Sequence, residues 1–181
     1  MEKTNIKSIA NDAVKGGLLF GAISSLYIIF SFLVINSAAG NIISNILWFV
    51  KLVGLIWLMK YMFAKYKEKH KDCKAKTLVI YGTFIALLSA AITAIVSYIS
   101  YEFLFPDAVV QAFDQMYQLL GQQNALDANT QQALVEIEGR ASVLQMTGTF
   151  IWCLLYGWIL SLILAPRVCP PNIFEPEDNQ N

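Results

Sequence analysis

Charge is scarce in this sequence. Asp, Glu, Lys and Arg make up 14% of its 181 residues, against about 25% in an ordinary soluble domain. Hydrophobic types make up 56%, and the mean hydropathy is +0.51. A chain of one-domain length cannot hide that much apolar surface from water, because small domains bury a smaller fraction of their surface. Formal net charge is zero, which removes the electrostatic basis for a nucleic-acid partner. Cysteine and histidine are sparse too. Cys73, Cys153 and Cys169 are an odd set without motif spacing, and the single histidine, His70, does not complete a zinc pattern. A disulfide scaffold and a metal centre are therefore not expected. No Gly-rich phosphate loop occurs, no internal repeat, and no grouping of serine, histidine and carboxylate. Glu136 and Glu138 are two apart and do not share a helix face. The expectation is a chain with no catalytic residues, no cofactor and no metal, and not an enzyme.

Long apolar runs are what the sequence does have. A membrane helix needs about 20 mostly apolar residues, and four segments qualify: 14–35, 42–63, 77–98 and 144–164. The first follows Lys3 and Lys7 and resembles a signal peptide, but its apolar run exceeds the usual h-region of about 7–15 residues, so a retained anchor is the better reading. Lysines then set the orientation. Residues 1–13 carry Lys3 and Lys7, and Lys15 follows. "KYKEKHKDCKAK" between spans two and three carries Lys65, Lys67, Lys69, Lys71, Lys74 and Lys76. The loop between spans three and four has Arg140 against Glu102, Asp107, Asp114, Asp127, Glu136 and Glu138. Those six acids lack calcium-loop spacing. Both termini and the lysine segment are thus expected in the cytoplasm, with residues 166–181 as a flexible cytoplasmic tail. The lysine segment reads as a topology determinant first and as an anionic-lipid contact second.

Greasy faces give helices in lipid little reason to associate, whereas small residues let backbones approach. Gly17, Gly21 and Ser25 form such a stripe in span one. Gly82, Ala86, Ala90 and Ala94 form one in span three, and Cys153, Gly157, Ser161 and Ala165 one in span four. Span two offers Gly54 alone. Spans one, three and four are expected to pack closely into an all-α four-helix bundle; the same stripes would also serve a homodimer. Aromatic residues near both boundaries, Trp48 and Trp152 among them, read as an anchoring belt.

The insertion at 103–143 is too long to be structureless. "PDAVVQAFDQMYQLLGQQ" places Val109, Phe113, Met116, Tyr117 and Leu120 on one helical face, between Pro106 as a start and Gly121 as a stop. A second helix is expected from near Asn129 or Thr130, running toward span four with Gly139 as a weak point. Together they would make an outer helical hairpin.

One charge does not fit this scheme. Lys51 stands inside span two, where insertion costs about 2.5–3.5 kcal/mol at the centre. If the span begins at Ile42, Lys51 lies about 13 Å deep; if at Leu47, about 6 Å, and its stem can snorkel outward. Tyr27, Ser24, Ser89, Thr93 and Tyr156 are polar groups at matching depth, and Glu102 is the nearest acid.

With "GGLLFGAISSLYIIF", "FAKYKEKHKD", "SYEFLFPDAVVQAFDQM" and "LSLILAPRV" in hand, the chain resembles a bacterial family of four-span membrane proteins, the domain of unknown function numbered forty-one ninety-nine. The resemblance spans about Ala13 to Arg167. It implies a bacterial inner-membrane protein and assigns no functional residues. The expected role is that of a non-enzymatic membrane subunit or scaffold. Its partners would be the bilayer and either a second copy or another membrane protein. The alternative is a small transporter or ion-coupling protein that uses Lys51.

Overall fold

A computed structural model describes residues 6–35, 40–70, 73–122 and 127–170. The turn expected near 36–41 falls mostly outside these residues, and the tail falls outside them from 171 onward. Within them the chain is all-helical. Its elements are α1 (Ile6–Ile35), α2 (Gly40–Lys69), α3 (Ala75–Ile99), α4 (Pro106–Gln122), α5 (Ala128–Glu138) and α6 (Ala141–Val168). Four of them, α1, α2, α3 with its extension and α6, are long and apolar enough to cross a membrane. In hydrocarbon every backbone N–H and C=O must be satisfied within the segment, so apolar runs of this length become helices.

Local chemistry sets the ends. Lys67 and Lys69 occupy the last turn of α2, where cations complement the carbonyl end of the helix. The ammonium of Lys67 also donates to the Val168 carbonyl of α6 at 2.8 Å, satisfying one of that helix's terminal acceptors. Span three does not stop at Ile99. It widens into a π-turn, Ser100–Leu104, in which the Phe105 N–H donates to the Ser100 carbonyl at 2.9 Å. Phe32 from α1 packs there, edge-on to Tyr101 and stacked on Phe105, with ring centroids 5.0 Å apart in each pair.

α4 then starts at Pro106, whose fixed φ and missing N–H suit a first turn. α5 starts earlier than its sequence cues suggest. Its cap is Asp127, not Asn129 or Thr130: the Asp127 carboxylate accepts the Thr130 N–H at 2.7 Å. A one-turn break at Gly139 and Arg140 separates α5 from α6.

α3 is the central helix. It packs α1 on one side and α6 on the other, and its buried positions are mostly small: Gly82, Ala86, Ser89, Ala90, Thr93, Ala94 and Ser97. The approach to α6 is so close that a Cβ on Gly157 would stand 2.5 Å from that of Ala86, and one on Gly82 would overlap Ser161. Toward α1, a Cβ on Gly17 would stand 2.8 Å from Leu88. Dispersion between backbones at this range supplies the association that lipid does not. Two buried hydroxyls on these faces bond back along their own helix, Thr93 to the Ser89 carbonyl and Ser161 to that of Gly157. One bond crosses the seam: the Ser97 and Thr149 hydroxyls are 3.3 Å apart.

α2 is held differently. A Cβ on Gly54 would meet nothing within 4 Å, so no neighbour comes close to its backbone there. Its buried residues are Leu55, Met59, Met62, Phe63 and Tyr66, all in the half nearer the lysine segment. In the other half Ile42, Ile46, Phe49 and Val50 are exposed, at 56–67%. α2 is bound at one end and stands away from the bundle at the other.

Candidate functional site

The space left by that departure is a cavity of about 230 Å³ among all four spans. Phe20 and Ser24 of α1 and Ala86 and Ser89 of α3 line it from within the bundle, and all four are buried. Leu52, Leu55 and Lys51 come from α2, and Cys153, Tyr156 and Gly157 from α6. Trp48 and Trp152 complete the lining and are themselves exposed, at 43% and 68%, so they form the rim.

Lys51 is a wall of this cavity. It lies midway between Ile42 and Lys60, about 13 Å of helix from each. The ammonium stands over the Tyr27 ring, 4.4 Å from the centroid. A cation over an aromatic face gains about 0.5–2 kcal/mol, more as water is excluded. That offsets only part of the cost of the charge. Among the described residues no carboxylate pairs with Lys51.

Of the residues singled out in the sequence, Tyr27, Ser24, Ser89 and Tyr156 are gathered around Lys51 or its cavity. The Tyr156 hydroxyl stands 3.5 Å from the Leu52 carbonyl, one residue from Lys51. Thr93 is buried in the α3 seam and does not line the cavity. Glu102 is not part of the site either. It is exposed on the π-turn beyond the end of α3, and among the described residues no ion pair joins it to Lys51. The stripe residues Gly17, Gly21, Gly82, Ala86, Gly157 and Ser161 lie at contacts between helices within the chain. Ser25 and Ala90 are buried.

Sequence reasoning passed over Phe20, Leu52 and Leu55 and gave three other lining residues different roles. Trp48 and Trp152 read as belt aromatics and Cys153 as a seam residue. The available signal was spacing: Trp48, Lys51, Leu52 and Leu55 share one face of α2, and Trp152, Cys153, Tyr156 and Gly157 one face of α6.

It also missed a cluster at the lysine-rich end. Asp12, on the first turns of α1, accepts Lys69 Nζ at 2.6 Å and meets His70 Nε2 at 3.1 Å. His70 is therefore not freely solvated. It is half-buried, bonded to Asp12 and packed with a tilted ring at 4.5 Å against Tyr66, which in turn stacks at 4.3 Å on Tyr81. The reason is that α1 begins two turns before its apolar run, and so brings an acid beside the end of α2. Nearby, the Cys73 thiol is pushed up to about 12, first by burial and then by Cys169 beside it. Such a thiol is unreactive at neutral pH. Among the described residues no group of His, Cys, Asp and Glu side chains could hold a metal ion.

Four apolar helices, a seam of small residues and an internal cavity define a multi-pass α-helical membrane protein. More particularly, the family model described as a protein of unknown function (DUF4199) matches residues 15–168, and the chain belongs to that family. No curated protein and no solved structure matches it.

Proposed function

We propose that the protein is a non-enzymatic membrane protein that binds a small ligand within the bilayer at the Lys51 cavity, as a small transporter or ion-coupling protein does. One observation carries this reading: a mid-span lysine, without an acid partner among the described residues, lines an internal cavity. An intramembrane charge kept at a cost in stability is a mark of function, and a cavity beside it supplies room for what the charge would bind.

The test is a ligand screen by thermal unfolding of the purified protein. A ligand bound to the folded state raises the melting temperature by mass action. At least one compound is expected to do so in the native chain and not in Lys51→Leu, with the variant expressed and monodisperse. A screen in which every stabilising compound acts equally on both would end the reading.

The orientation belongs to the same proposal: a bacterial inner membrane, both termini and the lysine segment in the cytoplasm, and α4 and α5 outside. The lysine distribution supports it. Labelling of a cysteine placed at Gln123 by an impermeant reagent from the outer side is expected, and labelling from the cytoplasmic side alone would reverse it.

A second reading, a scaffold for another membrane protein, draws on α4. Val110, Met116 and Leu119 are exposed on it, and none of its residues is fully buried. The small-residue seams are engaged inside the chain, so this role would use the outer helices. Crosslinking from Met116 to a second protein would favour it.

A further inference from the structure

We propose that the occupant of the Lys51 cavity is a single-chain fatty acid, held with its carboxylate on the Lys51 ammonium and part of its chain in the space between Leu55, Ala86 and Gly157. This rests on reading the cavity as a ligand site and names the ligand's chemistry.

Four observations converge. First, the charge is complementary. Lys51 is a cation in hydrocarbon with an aromatic face on one side and no carboxylate on the other, among the described residues. A buried ammonium is stabilised most by a charge-assisted bond to an anion. The Ser24 and Ser89 hydroxyls line the same cavity and stand as further donors to a carboxylate.

Second, apart from Cys153 and Tyr156 the rest of the lining is apolar or aromatic, with Phe20, Leu52, Leu55, Ala86 and Gly157 among it. A free inorganic anion would lose its hydration there without replacement. The ligand must carry its own apolar body.

Third, size selects among anionic amphiphiles. At about 230 Å³ the cavity exceeds the ~150 Å³ that encloses benzene in an engineered protein, enough for a stretch of one acyl chain. A phospholipid brings two chains, a glycerol and a phosphodiester. It would also have to bring a permanent charge to mid-bilayer depth, whereas a carboxylic acid can enter hydrocarbon as the neutral acid.

Fourth, the route is lateral. The rim residues Trp48 and Trp152 are exposed at the depth of the spans, and α2 stands away from the bundle on this side. The bilayer itself is then the reservoir from which the ligand enters.

The same tryptophans report the event. Trp57 and Trp158 face outward, at 67% and 44% exposed, and are replaced by Phe, leaving Trp48 and Trp152 as reporters. In nanodiscs of phosphatidylcholine at pH 8, the protein is titrated with 9,10-dibromostearic acid, its methyl ester, and a dibrominated phosphatidylglycerol. Bromine quenches indole at contact. Saturable quenching by the acid is expected, weaker by about ten- to a hundredfold for the ester and in Lys51→Met, as loss of one charge-assisted bond implies. The two-chain lipid is expected to give the same unsaturating quenching in native and variant protein.

Equal saturation by acid and ester, or unaltered binding in Lys51→Met, would overturn the assignment. So would a phosphatidylglycerol that saturates as tightly as the acid. The comparison of acid with ester uses native Lys51, so it decides the matter even if the variant fails to fold. If the acid does not bind while another compound stabilises the native chain and not Lys51→Leu, the fatty acid is excluded and the ligand site stands. If neither occurs, both readings fall.

Discussion

The two halves of the bundle are built to different standards. In the half nearer the lysine segment, Phe63, Met59, Leu78 and Ile85 are fully enclosed, and Tyr66 and Tyr81 stack beside them. Lys67 closes the end of α6 there, and Asp12 ties α1 to the end of α2. In the other half α2 exposes one apolar residue after another to lipid, and a cavity with a lysine in its wall occupies the place of a core. The tighter half is not the greasier one in sequence: in α2 it carries Lys60, Lys65, Lys67 and Lys69, against Lys51 in the other. The difference shows that in a bilayer hydrophobicity does not decide where a bundle is tight, because lipid satisfies an apolar side chain as well as a neighbouring helix does. Close fit decides it, and α2 fits at one end only.

Substitutions across this divide should separate the halves, beginning with the core. Phe63→Ala should cost about 3–5 kcal/mol by opening a void in a fully enclosed site. Phe49→Ala, on the lipid face of the same helix, should stay within about 0.5 kcal/mol. Equal losses in equilibrium unfolding in micelles would mean that α2 is packed along its whole length. Next comes the α3–α6 seam. Gly82→Leu should cost about 1–3 kcal/mol or prevent a monodisperse fold, since its side chain meets Ser161 and Phe63. Gly54→Leu should be silent in the same size-exclusion assay, having open space around it.

At the cavity the sign reverses. Lys51→Met should raise stability by about 1–2 kcal/mol, less than the insertion cost of the charge because Tyr27 already offsets part of it. A loss of stability would show that Lys51 holds the bundle together and is not kept at its expense. Smaller again is the tie at the lysine-rich end. Asp12→Asn should cost at most about 1 kcal/mol, because the Lys69 side chain is 62% exposed. Faster hydrogen exchange confined to the first turns of α1 and the last turn of α2 would be its signature.

The smallest effect lies outside the bundle. Hydrogen bonds from Thr130, its side chain first and then its N–H, hold the Asp127 carboxyl below its ordinary value of 3.8. Its contribution to α5 is therefore complete above that value and disappears as pH falls through the lower folded one. Amides of the first turn of α5 should exchange faster in native protein than in Asp127→Asn below that window and not above it.

Much of the fold was legible before any coordinates. The four apolar runs, the stop at Gly139 and the helical face of 106–121 are one-dimensional signals, since each follows from residues within a few turns of one another. The stripes of Gly17 and Gly21, Gly82 and Ala86, Gly157 and Ser161 marked which helices come close, although they did not say which pairs with which. The site was legible only in part. Lys51 stood out because charge is rare in a span, and Tyr27 and Tyr156 followed from depth alone. Glu102 lies on the π-turn that extends α3 and is exposed there, and no ion pair among the described residues joins it to Lys51. The partner of His70 was missed because Asp12 is 58 residues away, and no local pattern links them.

By itself the sequence determined that this chain is a helical membrane protein with a lysine-rich end and an acidic one. Segment length against bilayer thickness and charge against hydrocarbon leave few alternatives. Only the tertiary structure decided that α2 leaves the bundle, that its departure makes a cavity, and that Lys51 turns into it. Those depend on which surfaces fit to within a methyl group, as Gly157 fits Ala86 and Gly54 fits nothing. Such complementarity belongs to pairs of helices and is written in neither one alone.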